Sequence, residues 1–177
     1  MIDDGLVCNL EAAQIRRVLE PKVLGGWNLH RASLGLPLDF FVVYSSATTI
    51  LGNPGQAAYV GANSWLESLC RLRRANGLAA TSVRWGAIDD VGFLARNTRI
   101  KDALQGRMGG AALRADDALE VLGRMLDGGL DDLGVLELDW SSLARFLPSS
   151  AAPKFSELAM RASTPGGETD GGNDIER

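Results

Sequence analysis

The feature that most constrains the fold is a continuous apolar run at residues 39–45, Asp-Phe-Phe-Val-Val-Tyr-Ser. The run is rich in β-branched and aromatic residues and does not alternate between apolar and polar positions. A run of this kind is typical of a strand that is covered on both faces, as strands of parallel sheets are. Because parallel strands need helical crossovers, the run predicts an α/β fold.

Helical patterns flank this run. Apolar residues that recur every three to four positions predict the buried face of a helix, and glycine or proline marks its end. By these signals, helices are predicted at residues 10–33, 56–76 and 115–127, with shorter ones at 140–146 and 153–161. Asn9 is the candidate cap of the first helix, and Pro21 interrupts it. The third helix is expected to turn Leu119, Leu122 and Met125 inward.

Two further strands are predicted at residues 81–86 and 135–139. The alternation of helices and strands describes one half of a doubly wound, Rossmann-like parallel sheet. Residues 87–113 are rich in glycine and charge and predict a mobile segment with a weak helix near 98–105. Because three strands make a thin sheet, the fold is expected to be incomplete and to gain strands from another polypeptide or from upstream.

Composition limits the classes of partner. The chain has 177 residues, with 18 basic and 22 acidic ones and a net charge of −4, so no nucleic-acid partner is expected. No apolar run reaches the roughly 18–20 residues of a membrane span, and no secretory signal is recognised, so neither a membrane partner nor export is expected. Two cysteines, Cys8 and Cys70, and one histidine, His30, predict no Cys/His zinc site and no disulfide scaffold. A cytoplasmic location is expected.

The residues that could carry chemistry lie near the end of the buried run. Ser46 ends the strand, and the carboxyl ends of strands line the ligand crevice of open α/β sheets. Tyr59 opens the next helix 13 residues later, so the intervening loop can return it to the same crevice. Asn63 follows one turn later on the same helix face. Lys22 lies on the preceding helix, which would pack beside the strand.

These residues resemble the catalytic set of the short-chain dehydrogenase/reductase superfamily. Members of that superfamily usually carry Tyr-x-x-x-Lys, whereas here Asn63 takes the fourth position and Lys22 lies on an earlier helix. That exchange resembles the ketoreductase domains of type I polyketide synthases and related fatty-acid synthases. The resemblance covers roughly residues 1–147. Further similar segments are Tyr44-Ser-Ser46, Gly52-Asn-Pro-Gly-Gln56, Arg71-Leu-Arg-Arg74 with Gly77, Ser82-Val-Arg-Trp-Gly86 and Asp116-Asp-Ala-Leu119.

The resemblance implies a role for each catalytic side chain. Tyr59 would give a proton to the substrate carbonyl oxygen, and Ser46 would donate a hydrogen bond to that oxygen as negative charge develops. Lys22 would favour the phenolate by its charge and bind the nicotinamide ribose, and Asn63 would hold the proton relay. NADPH is the implied cofactor. Cofactor contacts are implied for Lys22, Tyr59, Trp85, Gly86 and Ala87.

A second set of positions concerns the substrate. Ile2-Asp3-Asp4 resembles the Leu-Asp-Asp signature of B-type ketoreductases, and Leu51 stands where A-type members have Trp. Together these positions imply a D-configured 3-hydroxyacyl product. Two apolar residues in the segment 87–113, Phe93 and Leu94, form a candidate substrate lid. The implied substrate and stereocontrol positions are Asp4, Leu51, Gln56, Phe93 and Leu94.

As a whole, the resemblance implies NADPH-dependent reduction of a β-ketoacyl thioester on an acyl carrier protein to a 3-hydroxyacyl thioester. The chain has no strand–GxGxxG–helix arrangement for the cofactor phosphates. Residues 1–147 are therefore predicted to be the C-terminal, catalytic part of such a domain, followed by a helical extension at 148–161 and a disordered linker at 162–177.

Without the phosphate-binding arrangement, the chain is expected to need a partner for activity. An N-terminal half or neighbouring synthase domains are expected as partners, and the chain alone is expected to be inactive. Two alternatives remain open. One is a non-catalytic truncated fragment, or a structural half that pairs with a separate N-terminal half. The other is a short-chain reductase of a free small ketone.

Overall fold

A computed structural model describes residues 3–88, 90–97 and 112–163. The regular elements of these residues are α1 (Ala12–Ala32), β1 (Val42–Ser46), α2 (Thr48–Leu51), α3 (Ala57–Ala75), β2 (Thr81–Trp85), α4 (Gly92–Ala95), α5 (Ala115–Asp127), β3 (Asp132–Val135), α6 (Trp140–Phe146) and α7 (Ser156–Ser163). Short 3₁₀ turns lie at Val7–Asn9, Pro148–Ala151 and Pro153–Phe155. The weak helix expected near 98–105 lies outside the described residues. None of the described helices is long and apolar enough to cross a membrane.

The three strands form one parallel sheet in the order β1–β2–β3. Val42 lies opposite Thr81, and Ser82 lies opposite Asp132. Helix α3 lies on one face of the sheet, where Leu66 and Cys70 bury Val43, and α1 packs against α3. Helix α5 covers β2 and β3 on the other face. The α/β, Rossmann-like class is therefore confirmed.

Helix α1 runs without a break through Pro21, so the predicted interruption is wrong. A proline removes one backbone hydrogen bond, but the helix continues to Ala32, buries Val18, Gly26 and His30, and packs against α3. The predicted cap is also displaced, because Asn9 lies in a separate 3₁₀ turn and Glu11 occupies the cap position without a side-chain cap bond. Tertiary contact, rather than local signals, sets the extent of this helix.

A glycine allows α1 and α3 to approach closely. A Cβ built on Gly26 would lie 2.8 Å from Cδ2 of Leu66 and 3.2 Å from the ring of Trp65, both on α3. Real Cβ atoms are not found as close as 2.8 Å to a neighbouring carbon, so a side chain at position 26 would require the side chains of Leu66 and Trp65 to move. Because Lys22 lies one turn before Gly26 on α1, this contact fixes how near Lys22 comes to α3.

Strand β3 spans Asp132–Val135, so it begins three residues earlier than the predicted strand at 135–139 and shares only Val135 with it. The reason is a set of charged contacts at its start. The carboxylate of Asp132 accepts a hydrogen bond from the hydroxyl of Ser82 on β2, and its other oxygen lies 2.5 Å from Nη2 of Arg74 on α3. These contacts hold Asp132 beside β2, so the chain pairs from this residue onward.

Helix α5 buries Ala118 and Met125 against Val83 and Trp85. Leu122 lies at the edge of this contact and is partly buried. Leu119 is 59% exposed, so its predicted inward orientation is wrong. The helix therefore places Ala118, at 4% exposure, rather than Leu119 against the sheet.

We expect Met125→Ala to lower the free energy of unfolding by about 2–5 kcal/mol, because it leaves a cavity between α5 and the sheet. The matched control on the same helix is Leu119→Ala, which should change stability by less than about 0.5 kcal/mol. Urea unfolding followed by circular dichroism measures both. Equal losses for the two variants would contradict the observed orientation of α5.

Cys70 is fully buried between α3 and β1, and burial raises the pKa of its thiol to about 11. A raised pKa keeps the thiol protonated, and hence unreactive, at every pH well below that value. At pH 8 we expect a thiol reagent such as Ellman's reagent to label exposed Cys8 rapidly and Cys70 only after denaturation. Two thiols reacting at one rate in the folded chain would contradict this.

Candidate active site at the carboxyl ends of the strands

The candidate site lies where β1 and β2 end side by side. Ser46 and Trp85 are the last residues of these strands and lie opposite each other in the sheet. Parallel strands direct their carboxyl ends to one edge, which is where open α/β sheets bind ligands. Helix α2 leaves this edge directly after Ser46, and α3 returns to it with Tyr59 in its first turn.

Lys22 and Tyr59 come together at this edge from different helices. The Nζ atom of Lys22 lies 5.8 Å from the centroid of the Tyr59 ring. The same ammonium group donates a hydrogen bond of 3.2 Å to the backbone carbonyl of Tyr44 on β1. Partial burial lowers the pKa of Lys22 below its usual 10.5, since desolvation disfavours the charged form. The structure therefore brings together Lys22 and Tyr59, which the family resemblance had paired.

Ser46 has its hydroxyl oxygen held by the first residue of α2. The oxygen accepts hydrogen bonds from the backbone N–H of Thr48 at 3.2 Å and from the Thr48 hydroxyl at 2.9 Å. Both contacts use lone pairs of the oxygen, which leaves its hydrogen available to a ligand. Sequence reasoning missed this role of Thr48, although a serine hydroxyl often accepts a hydrogen bond from the backbone N–H two residues later.

Asn63 is fully buried one turn after Tyr59 on α3. Its Nδ2 donates a 3.0 Å hydrogen bond to the Tyr59 carbonyl, and its Oδ1 has no hydrogen-bond partner in the described part of the chain. A buried polar atom without a partner costs about 1–3 kcal/mol. Such an atom is suited to accept a hydrogen bond from a bound water or ligand.

Two positions singled out for the substrate, Asp4 and Gln56, contact each other just before α3. Nε2 of Gln56 donates a 3.0 Å hydrogen bond to Oδ2 of Asp4, and the backbone N–H of Gly5 donates to the carbonyl of Gly55 at 2.8 Å. The segment before α1 is thereby attached to the loop that leads into α3. Ile2, the first residue of the B-type signature, lies outside the described residues.

The other substrate positions are placed differently. Leu51 is 6% exposed and packs with Leu143 and Phe155, so it is covered by the C-terminal part of the chain. The side chains of Phe93 and Leu94 lie outside the described part of α4, and the substrate lid stays a prediction.

The end of β2 is closely packed against the segment after β3. A Cβ on Gly86 would lie 2.8 Å from Cβ of Leu136, so only glycine fits there. Ala87 continues the loop and accepts a hydrogen bond from the backbone N–H of Leu113 through its carbonyl. The Trp85 ring packs against the Tyr44 ring, with centroids 5.6 Å apart. Its buried Nε1 has no partner among the described residues.

These groups fit the nicotinamide-ribose end of a dinucleotide cofactor. One N–H of the Lys22 ammonium is used on the Tyr44 carbonyl, and two remain for ribose hydroxyls. The unpartnered Oδ1 of Asn63 offers an acceptor close by. No group of three or more His, Cys, Asp or Glu side chains able to hold a metal occurs in the described ranges.

Comparisons with protein families, with curated proteins and with solved structures all match this chain to ketoreductases or polyketide synthases. A family model described as "KR domain" matches residues 1–90. One component of the phenolphthiocerol/phthiocerol polyketide synthase of Mycobacterium tuberculosis is 34% identical over 99% of this chain, which spans 8% of that protein. The structure of the first ketoreductase of the tylosin polyketide synthase has 32% identity and a TM-score of 0.74, over 93% of this chain and 36% of that one. An A1-type ketoreductase has 28% identity and a TM-score of 0.78, over 89% and 34%.

The lowered pKa of Lys22 is open to direct measurement. After reductive ¹³C-methylation of the lysines, we expect the resonance that disappears in Lys22→Arg to titrate below pH 10.5, because burial disfavours its ammonium form. The same resonance in urea-unfolded chain, where desolvation is lost, serves as the control and should titrate later. Equal midpoints in folded and unfolded chain would contradict the burial of this group.

Proposed function

Because the chain belongs to the ketoreductase (KR) domain family of polyketide synthases, we propose that it carries the catalytic residues for reduction of a β-ketoacyl thioester. KR domains of polyketide synthases reduce β-keto groups. The proposed substrate is held on an acyl carrier protein, the reductant is NADPH, and the product is a 3-hydroxyacyl thioester. The approach of Lys22 to the Tyr59 ring beside the end of β1 is the observation that carries this proposal.

The protein supplies the proton and the polar contacts. Bound NADPH would supply the hydride that adds to the carbonyl carbon. Tyr59 gives its phenolic proton to the carbonyl oxygen, so the C=O double bond becomes a C–OH group. The Ser46 hydroxyl donates a hydrogen bond to the same oxygen, where negative charge develops. Thr48 keeps the Ser46 oxygen in place by occupying its lone pairs.

Lys22 and Asn63 prepare Tyr59 for this step. The Lys22 ammonium near the ring stabilises the negative charge that remains on the phenolate after proton transfer. The Tyr44 carbonyl holds the ammonium in position, and its two other N–H bonds would bind the ribose. The buried Oδ1 of Asn63 would accept a hydrogen bond from a water molecule that returns a proton to Tyr59.

Among the described residues, one edge of β1 is unpaired and is a surface to which a further strand could add. In the described ranges β1 pairs only with β2, and unpaired backbone groups on a strand edge are a template for another strand. Phe40, just before β1, is 62% exposed. Tyr44 lies opposite Val83, on the face where α5 packs over β2 and β3, and is itself 49% exposed. We infer that a strand and helix of an N-terminal ketoreductase half, which carries the phosphate-binding loop, cover this edge.

The same edge favours a second candidate function. If the chain serves only as a structural half, it would bind its partner through β1 without turnover. A reductase of a free small ketone would instead turn over without a carrier or thioester. The D-configured product implied by Asp4 and Leu51 is part of the proposal and is read from the chirality of the alcohol.

We expect NADPH to bind when the chain is combined with the N-terminal half of a solved ketoreductase, and to bind weakly or not at all to the chain alone. In the combined protein, Tyr59→Phe should lower the reduction rate at least ~10²-fold, the usual contribution of a general acid, and leave NADPH affinity within a few-fold. Fluorescence titration and reduction of an acetoacetyl thioester measure the two effects.

The chain has two tyrosines, which provides a matched control. Tyr44→Phe removes the other phenol hydroxyl but keeps the backbone carbonyl that binds Lys22, so reduction should persist. Binding without reduction in the unmodified protein would favour the structural half. Turnover of a free small ketone by the chain alone would favour a reductase of free ketones instead.

A further inference from the structure

The segment after α6 makes two polar contacts with α2. Lys154 donates a 2.7 Å hydrogen bond from Nζ to the backbone carbonyl of Ile50. Ser149 donates a 2.5 Å hydrogen bond from its hydroxyl to the backbone carbonyl of Leu51. These contacts join residues about one hundred positions apart. We call residues 148–155, which carry both donors, the C-terminal strap.

The two carbonyls are those that a short helix leaves without a partner. Helix α2 has four residues, and the last carbonyls of any helix have no N–H donor within the helix. A lysine ammonium at that position also interacts favourably with the negative end of the helix dipole. The C-terminal strap therefore completes the hydrogen bonding of α2, which the element cannot do itself.

An apolar contact holds the C-terminal strap in place beneath these bonds. Phe155 is 6% exposed and packs in one buried cluster with Leu51 of α2 and Leu143 of α6. The Phe155 ring also lies against the Trp140 ring, with centroids 5.2 Å apart. Because the anchor is buried, the positions of Ser149 and Lys154 are fixed relative to α2.

Helix α2 in turn is attached to the candidate site. The backbone N–H groups of Ile50 and Leu51 donate to the Ala47 carbonyl, and Ala47 donates to the carbonyl of Trp85 at the end of β2. Thr48, the first residue of α2, holds the Ser46 oxygen. A displacement of the C-terminal end of α2 is thus transmitted to Ser46 within one helical turn.

We propose that Lys154 and Ser149 are positioning residues, which fix α2 and through it the Ser46 hydroxyl and Leu51. The proposal rests on the proposed reduction for its effect on product configuration, but not for its effect on α2. Neither residue touches the reacting atoms. Their contribution is to restrict the position of the hydroxyl that binds the substrate oxygen, and hence which face of the carbonyl is presented.

Hydrogen–deuterium exchange of the whole chain tests the effect on α2 without any activity. We expect Lys154→Met to speed exchange of the amides at 50–52 roughly tenfold, the effect of losing one hydrogen bond that involves a charged group. Exchange in the middle of α3 should stay unchanged, and Lys154→Arg should restore protection. Unchanged exchange at 50–52 would overturn the proposal.

Two serines allow a matched comparison. Ser149→Ala removes the bond to Leu51 and should also speed exchange at 50–52. Ser150→Ala removes a hydroxyl that bonds to the carbonyl of Leu147 in its own turn, so exchange at 50–52 should not change. Equal effects of the two variants would show a general loosening of the C-terminal strap and would overturn the specific role of Ser149.

Product configuration distinguishes positioning from simple stabilisation. In the combined protein that reduces an acetoacetyl thioester, we expect Lys154→Met to change the ratio of the two 3-hydroxy enantiomers at least threefold, and Lys154→Arg to restore it. A loss of stability alone would lower the rate and leave the ratio unchanged, which would overturn the positioning role. If the unmodified combined protein does not reduce the thioester, the proposed function fails, and the exchange experiment still decides whether the strap holds α2.

Discussion

A buried carboxylate determines how the main helix lies on the sheet. Glu67 on α3 is 5% exposed, and it accepts a hydrogen bond of 2.5 Å from the hydroxyl of Ser45 on β1 and forms an ion pair of 3.0 Å with Arg84 on β2. A buried charge is tolerated only when it is paired and hydrogen-bonded. One helix residue is therefore bound to both strands, which fixes the position and rotation of α3.

The position of α3 has consequences for the rest of the molecule. Tyr59 and Asn63 lie two and one turns before Glu67, so the same rotation directs them toward the ends of β1 and β2. Gly26 lets α1 approach the outer side of α3, which brings Lys22 to the Tyr59 ring. The Lys22 ammonium then reaches the carbonyl of Tyr44 on β1. The arrangement at the site is thus a consequence of helix packing, not of a single loop.

Buried polar groups differ between the candidate site and the rest of the core: three charged groups of the core have hydrogen-bond partners, whereas two groups at the site have none among the described residues. The carboxylate of Asp132, the buried Glu67 and the buried guanidinium of Arg73 all have hydrogen-bond partners. In contrast, Oδ1 of Asn63 and Nε1 of Trp85 are buried without partners in the described part of the protein. Both residues lie near the carboxyl ends of the strands. Unsatisfied groups at that edge are consistent with a site that is completed by a ligand or by a further part of the domain.

Much of the fold and of the site could be predicted because local patterns carried the information. The apolar run before Ser46 and the periodicity of α3 predicted a strand and a helix of a parallel sheet. The spacing of Ser46, Tyr59 and Asn63, through its resemblance to short-chain reductases, indicated a candidate catalytic set at the edge of that sheet. These features depend on the order of residues over one or two elements. The predictions that failed depend on distant contacts, as the continuity of α1 through Pro21 and the exposure of Leu119 show.

The sequence by itself determined the fold class, because residue type and periodicity indicate the strands and helices, and its resemblance to ketoreductases indicated which side chains are candidates for chemistry. Only the tertiary structure decided the start of β3, where Asp132 meets Arg74 and Ser82, because that contact joins residues 50 or more positions apart. It also decided that Leu51 is covered by the C-terminal strap. No local pattern reports such contacts, because the free energy that fixes them arises from surfaces that meet only in the folded chain.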